Sequence, residues 1–180
     1  MRHLSLISAT FALLFLSARE VSAWDAGAML TVHGDVLHPG PRTVADLKEK
    51  FSKEIQNVEF TSGMDKQKHT GTGIPLSSLL VAVGPKNEKV PKHHDLTFFV
   101  VLQALDHYRV FFSLAELLPA CGRAQAWLVW EVDGKPLAGK EAPFRLVVLS
   151  DQGHDRFIYG IATITLLDGT KIVNQLAVGK

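Results

Sequence analysis

Short apolar runs rich in β-branched and aromatic residues recur along the chain after residue 24, and each is bounded by turn-forming residues. Runs of this length and composition are typical of β-strands. No long helical segments alternate with them, which argues against βαβ units. The pattern therefore predicts an α+β domain with largely antiparallel or mixed short strands. We expect these strands at residues 29–33, 58–61, 66–70, 96–105, 109–112, 127–132, 161–167 and 172–176.

Three short helices are predicted between the strands. Thr43 with Asp46, and Ser113 with Glu116, have the spacing of capping boxes, and these predict helices over residues 44–53 and from Ser113 to about Pro119. Residues 75–84 predict a third, buried helix that is apolar nearly all round. Two Asp-Gly pairs, at residues 133–134 and 168–169, predict β-hairpins.

The first 23 residues have the organisation of a signal peptide. Arg2 precedes an apolar stretch over residues 4–16, and Val21-Ser22-Ala23 supplies small residues at a cleavage site. The apolar stretch is shorter than the roughly 20 residues that a spanning helix needs. We therefore expect export to the periplasm of a bacterium and a single mature domain over residues 24–180.

Charge and cysteine content exclude several classes of protein. The chain has 19 Lys and Arg residues against 18 Asp and Glu residues, so nothing indicates a nucleic-acid-binding protein. Cys121 is the only cysteine, which excludes an intramolecular disulfide and a thiolate zinc cluster. His93 and His94 are adjacent, but no third ligand is near them in sequence, so we do not expect a metal site there.

The stretch 143–161 reads as a strand, a polar loop and a second strand. The loop carries Asp151, His154, Asp155 and Arg156, and Arg145 lies at the start of the first strand. Two arginines with carboxylates nearby could form a fork for a planar or anionic ligand. Alternatively, each arginine is solvated or forms a local ion pair with Asp151 or Asp155.

Six segments, in this order, resemble those of one known family. They are Thr72-Gly73-Ile74-Pro75-Leu76, Asp106-His107-Tyr108, Phe112-Ser113-Leu114-Ala115-Glu116-Leu117, Asp133-Gly134-Lys135-Pro136-Leu137, Pro143-Phe144-Arg145-Leu146-Val147-Val148 and Arg156-Phe157. On these segments the chain resembles the oxidoreductase molybdopterin-binding domain family, in particular its small exported single-domain members. The resemblance covers nearly all of residues 24–180 and implies the sulfite-oxidase-type molybdopterin-binding fold.

The chain departs from the family at the expected metal ligand. Catalytic members bind molybdenum through a Cys thiolate just upstream of the Gly-x-Pro-Leu helix, where this chain has Thr61 and Ser62. A hydroxyl is a poor replacement for a soft thiolate. Cys121 lies in another part of the fold, and we interpret it as a buried or incidental thiol. Residues 140–142 also lack the His that such enzymes carry near the Gly-x-Pro-x-Arg motif. We therefore expect a pterin ligand without metal, and a complete molybdopterin is the less favoured ligand.

Positions carried over from the resemblance define the predicted pterin site. Carboxylates could accept hydrogen bonds from the amino edge of the ring, arginines could donate to its carbonyl and ring nitrogens, and aromatic residues could stack on it. The predicted residues are Arg145, Arg156, Asp106, Tyr108, Asp151, Phe157, Thr61 and Ser62. Trp127 could also stack, but its apolar strand favours core packing.

The function hypothesis is a non-enzymatic periplasmic pterin-binding protein that reports its ligand to a membrane signalling protein, in control of the cyclic-di-GMP type. The partner follows only from the likeness to small exported relatives. The alternatives are a molybdenum-cofactor-dependent oxidoreductase of the sulfite oxidase type and a protein-interaction domain that binds no ligand.

The interpretation of Cys121 generates a first prediction. Cys121→Ser should change the free energy of unfolding by no more than about 0.5 kcal/mol, measured by denaturant unfolding, because the thiol has no predicted role. The content of bound pterin should also be unchanged. A loss of bound molybdenum on this substitution would contradict the non-enzymatic hypothesis.

Overall fold

The computed structural model describes residues 29–86, 94–122 and 124–178. The predicted signal peptide and residues 87–93 of the predicted loop lie outside the described residues.

The strands are β1 (Leu30–Gly34), β2 (Gly40–Arg42), β3 (Gln56–Thr61), β4 (Lys68–Pro75), β5 (Phe98–Ala104), β6 (Arg109–Ser113), β7 (Ala126–Val132), β8 (Lys135–Pro136), β9 (Arg145–Val148) and β10 (Ile161–Asp168). The helices are α1 (Val44–Lys50), α2 (Leu76–Val83), α3 (Leu114–Leu117) and α4 (Gly169–Val178), with 3₁₀ turns at His94–Thr97 and Gly139–Glu141.

Two sheets form the domain. The first has the strand order β2-β1-β10-β5-β6, in which β1 and β10 are parallel and every other pair is antiparallel. The second has the order β3-β4-β7-β8, with β9 also paired to β7. The predicted α+β class with short, largely antiparallel strands is therefore confirmed.

One hydrophobic core takes side chains from both sheets and from α1, α2 and α3. Among its largest fully buried side chains are Trp130, Phe98, Phe112 and Phe144. Trp127 is half-buried and packs against this core, as its apolar strand predicts. Burial on this scale provides most of the driving force for folding in a chain that has no disulfide.

Local chemistry explains where the first three helices begin. The Thr43 side chain accepts a hydrogen bond from the Asp46 backbone N–H at 3.1 Å, and the Asp46 carboxylate accepts one from the Thr43 N–H at 2.8 Å. Ser113 and Glu116 form the second predicted capping box. α2 follows Pro75 and ends at Gly84, as expected, but Val81 is 65% exposed, so this helix is not buried all round.

The predicted C-terminal hairpin is wrong. Residues 169–178 form α4, and only β10 of the expected pair is a strand. The Asp168 carboxylate accepts a hydrogen bond from the Thr170 backbone N–H at 3.0 Å, which caps a helix instead of closing a turn. Ile172 and Leu176 are four residues apart, a spacing that suits a helix as well as a strand, so the short apolar run could not decide between them.

A close approach between β4 and β7 generates a second prediction. The ladder between them shifts register at Thr72/Gly73, and a Cβ on Gly73 would lie 2.1 Å from the Leu128 carbonyl oxygen. Gly73→Ala should therefore reduce the free energy of unfolding by about 2–3 kcal/mol in denaturant titrations.

Gly153→Ala is the matched control, since its Cβ would meet only the Asp155 carboxylate at 3.5 Å. We expect a change within about 0.5 kcal/mol there. Equal effects of the two substitutions would show that the backbone contact at Gly73 does not limit stability.

Candidate functional site

An open cleft of about 530 Å³ lies between the β3–β4 hairpin and the loop that follows β9. This volume is within the usual range for small-molecule sites. The side chains that line it come from two parts of the chain that are distant in sequence. They are Glu59, Phe60, Thr61, Lys68, Val148, Leu149, Asp151, Gln152, His154 and Phe157.

Aromatic rings form the floor of the cleft. Phe60 and Phe157 pack edge to face with ring centroids 6.2 Å apart, and Phe157 packs in the same manner on His154 at 5.0 Å. Strand alternation turns Phe60 inward and leaves Glu59 and Thr61 exposed. The cleft therefore combines an apolar floor with a polar rim.

Arg145 is buried beneath two aromatic rings. Its guanidinium lies 4.7 Å from the centroid of Phe60 and 4.3 Å from that of Tyr159, and it donates a hydrogen bond to the Tyr159 hydroxyl at 3.0 Å. Glu141 is 3.9 Å away, and the Arg145 Nε has no hydrogen-bond partner among the described residues. Burial lowers the pKa of Arg145, but a guanidinium stays charged in proteins.

Arg156 is held by carboxylates. Its Nε and Nη2 donate to the two oxygens of Asp151 at 2.7 and 2.5 Å, and its Nη1 donates to Glu116 at 2.7 Å. The guanidinium also lies 4.3 Å from the centroid of the Phe112 ring. The bidentate hydrogen bond that Arg156 donates to Asp151 raises the pKa of Arg156 above its ordinary value.

Arg145 and Arg156 therefore do not form the predicted fork, since they share no partner. The alternative of a local ion pair with Asp151 is confirmed for Arg156. Asp155 takes part in a different contact, in which its backbone carbonyl accepts a hydrogen bond from the Tyr108 hydroxyl at 2.6 Å.

Asp106 and Tyr108 lie in and after the β5–β6 turn and are not among the residues that line the cleft. The Asp106 carboxylate accepts a hydrogen bond from the Tyr108 backbone N–H at 3.0 Å. Through its bond to Asp155, Tyr108 fixes the loop that carries Asp151 and His154. The Tyr108 side chain thus contacts the backbone of the loop and not the interior of the cleft.

Thr61 and Ser62 occupy the segment where the family resemblance would place a thiolate. Thr61 lines the cleft, whereas Ser62 is 4% exposed and its hydroxyl accepts a hydrogen bond from the Met64 backbone N–H at 3.2 Å. Cys121 is exposed, so of the two interpretations the buried thiol is wrong and the incidental thiol stays a prediction. No group of three or more metal-ligating side chains is found among the residues that the structure describes.

The cleft brings together Thr61, Asp151 and Phe157 from the predicted set. It adds residues that the sequence did not single out as ligands, namely Glu59, Phe60, Lys68, Gln152 and His154. Gln152 and His154 could have been found, because they share the polar loop with Asp151. The other lining residues of the β3–β4 hairpin, Glu59, Phe60 and Lys68, carried no such signal.

No protein-family model matches the chain, and no curated protein matches it. Among solved structures, the fold is similar to that of the sulfane dehydrogenase SoxCD from Paracoccus pantotrophus, with a TM-score of 0.57 and 18% sequence identity. The match covers 78% of this chain but only 38% of that one. At this identity the likeness concerns the fold alone, and it agrees with the predicted sulfite-oxidase-type fold. Within the described residues, no helix is long and apolar enough to cross a membrane.

The ion pair between Arg156 and Asp151 generates a third prediction. A double-mutant cycle with Arg156→Ala and Asp151→Ala should give a coupling energy of about 1 kcal/mol in denaturant unfolding, because the bond is bidentate but partly exposed. The same cycle with Arg156→Ala and Asp155→Ala is the control, and its coupling should be near zero. Equal coupling in both cycles would contradict the assignment of the partner.

Proposed function

We propose that the cleft binds a pterin, and that the protein is a non-enzymatic periplasmic ligand-binding protein. The observation that supports this best is the combination of an aromatic floor, formed by Phe60 and Phe157, with a hydrogen-bonding rim. A flat heterocycle with a polar edge needs both surfaces.

The rim suits the amino-pyrimidinone edge of a pterin. The Gln152 amide can accept from the ring amino group and donate to the neighbouring carbonyl oxygen, and Thr61 and His154 offer further donors or acceptors. Both Asp151 oxygens bond Arg156, but a carboxylate oxygen can accept more than one hydrogen bond. Asp151 can therefore also face the amino edge while Arg156 fixes its orientation.

Arg145 supports the floor of the cleft in this proposal. Its guanidinium packs on the Phe60 ring, and this cation–π contact stabilises the observed position of the ring. A ring that is already held in place lowers the entropic cost of stacking a ligand on it.

The residues that line the cleft favour binding over molybdenum chemistry. Among the described lining residues there is no thiol, and the hydroxyl of Thr61 is a harder ligand than the thiolate that binds molybdenum in this family. The wider role, as a partner of a membrane signalling protein of the cyclic-di-GMP type, rests on the resemblance of the sequence to small exported relatives.

The fourth prediction concerns the rim. Gln152→Ala and His154→Ala should each weaken binding of an oxidised 6-substituted pterin, such as neopterin, by about 5- to 30-fold in calorimetric titration, as expected for the loss of one or two hydrogen bonds. Gln56→Ala and His38→Ala remove exposed side chains of the same types outside the cleft and should leave the affinity unchanged. Equal effects of all four substitutions on the affinity would show that the pterin does not bind in this cleft.

A second measurement separates the proposal from the oxidoreductase alternative. The protein would be purified from the periplasm of a host that makes molybdenum cofactor, then assayed for molybdenum and for pterin released on denaturation. We expect pterin without metal. Stoichiometric molybdenum would contradict the non-enzymatic function, and the absence of both signals together with no binding in the titration would refute pterin binding.

A further inference from the structure

One histidine outside the rim bridges two turns of the fold. The His69 Nδ1 is 2.7 Å from a carboxylate oxygen of Asp133, and its Nε2 is 2.9 Å from a carboxylate oxygen of Asp65. Asp65 belongs to the turn between β3 and β4, and Asp133 to the turn between β7 and β8. A single imidazole ring thus joins two hairpin turns.

The bridge requires the protonated ring. A neutral imidazole has one N–H donor, whereas an imidazolium has two, and an ionised carboxylate can only accept. With both carboxylates ionised, only the imidazolium can donate to Asp65 and Asp133 together. Loss of the proton leaves a nitrogen lone pair facing one carboxylate, which removes one of the two links.

Hydrogen bonds, backbone ones first, keep both carboxylates ionised. A backbone hydrogen bond from Gln67, followed by the bond from His69, lowers the pKa of Asp65 to about 2. A backbone bond from Thr70, followed by the bond from His69, lowers the pKa of Asp133. At longer range, the positive charge of Lys135 also favours the ionised form of Asp133, and Arg145 and Asp65 attract each other through their opposite charges. The hydrogen bonds that His69 donates to the two carboxylates, that to Asp133 first, raise the pKa of His69 above 6.5.

The bridge adjoins the wall of the cleft. His69 pairs with Phe60 in the β3–β4 ladder, their ring centroids are 5.8 Å apart, and the neighbouring Lys68 lines the cleft. Gly63 lies in the same turn as Asp65, and a Cβ there would be 2.9 Å from the His154 Cβ. The turn that Asp65 holds is therefore in contact with the opposite wall.

We propose that His69 is a pH-dependent latch for the cleft: its imidazolium holds the β3–β4 turn to the β7–β8 turn, and its deprotonation releases one carboxylate and loosens the wall that carries Phe60. The effect of the latch on pterin binding rests on the proposed function, whereas the protonation of His69 and its hydrogen bonds to the two carboxylates do not. The pKa of His69 is raised in the folded protein. The stabilisation that the bridge provides is therefore complete below the ordinary pKa of 6.5, and it is lost as the pH rises through the raised pKa.

The latch is tested first without ligand, by following the His69 ring resonances with pH in NMR spectra. We expect a midpoint above 6.5 in the unsubstituted protein. Asp133→Asn should lower it by about one pH unit, because one charged partner is replaced by a neutral one. Asp106→Asn, at a carboxylate without a bond to His69, should leave it unchanged. A midpoint at or below the ordinary value in the unsubstituted protein would overturn the latch.

The coupling is tested by titrating neopterin at intervals from about pH 6 to about pH 9. The affinity ratio of the unsubstituted protein to Asp133→Asn should fall by about 3- to 10-fold over this range. Titration of the ligand itself is common to both proteins and cancels in the ratio. A constant ratio with a raised His69 midpoint would refute the coupling alone. No binding at any pH would refute the proposed function and its regulation, while the ligand-free midpoint would still decide whether the bridge titrates.

Discussion

The cleft depends on one strand that is hydrogen-bonded along both edges. β7 pairs with β4 on one side and with β8 and β9 on the other. β4 carries the β3 hairpin, which forms one wall, and β9 leads into the loop that forms the other. The register of a ladder fixes each strand relative to its neighbour. The distance between the two walls of the cleft is therefore set by the backbone hydrogen bonds that β7 makes with β4 and β9. The side chains that line the cleft are thus presented by strands β3, β4 and β9 and by the loop after β9, all held on this frame.

Elements with a local chemical cause could be predicted from the sequence. Both capping boxes form, and Asp133 and Gly134 adopt the positive φ angles of a tight hairpin turn. The second Asp-Gly pair, at residues 168–169, starts a helix instead. Its aspartate also contacts His94, which is 74 residues away, so tertiary contacts decided an outcome that the dipeptide left open.

The candidate site was less predictable because its electrostatics are not local. Arg156 could be seen to lie near Asp151, but its third bond goes to Glu116 on α3, 40 residues away. Arg145 has almost no contact with solvent and stacks on Phe60 of a hairpin distant in sequence. The family resemblance named Thr61, Asp151 and Phe157, which line the cleft, whereas Glu59, Phe60 and Lys68 could be placed there only through the ladder between β4 and β7.

The order of strands in the first sheet constrains how the chain reaches its native state. β10 lies between β1 and β5, so an interior strand of this sheet is synthesised after every other strand that the structure describes. The ladders on both sides of β10 pair segments far apart in sequence, and closing such contacts is slow. A growing chain therefore carries two unjoined strand edges until residue 168 is available, and the sheet can close only after β10 has been made.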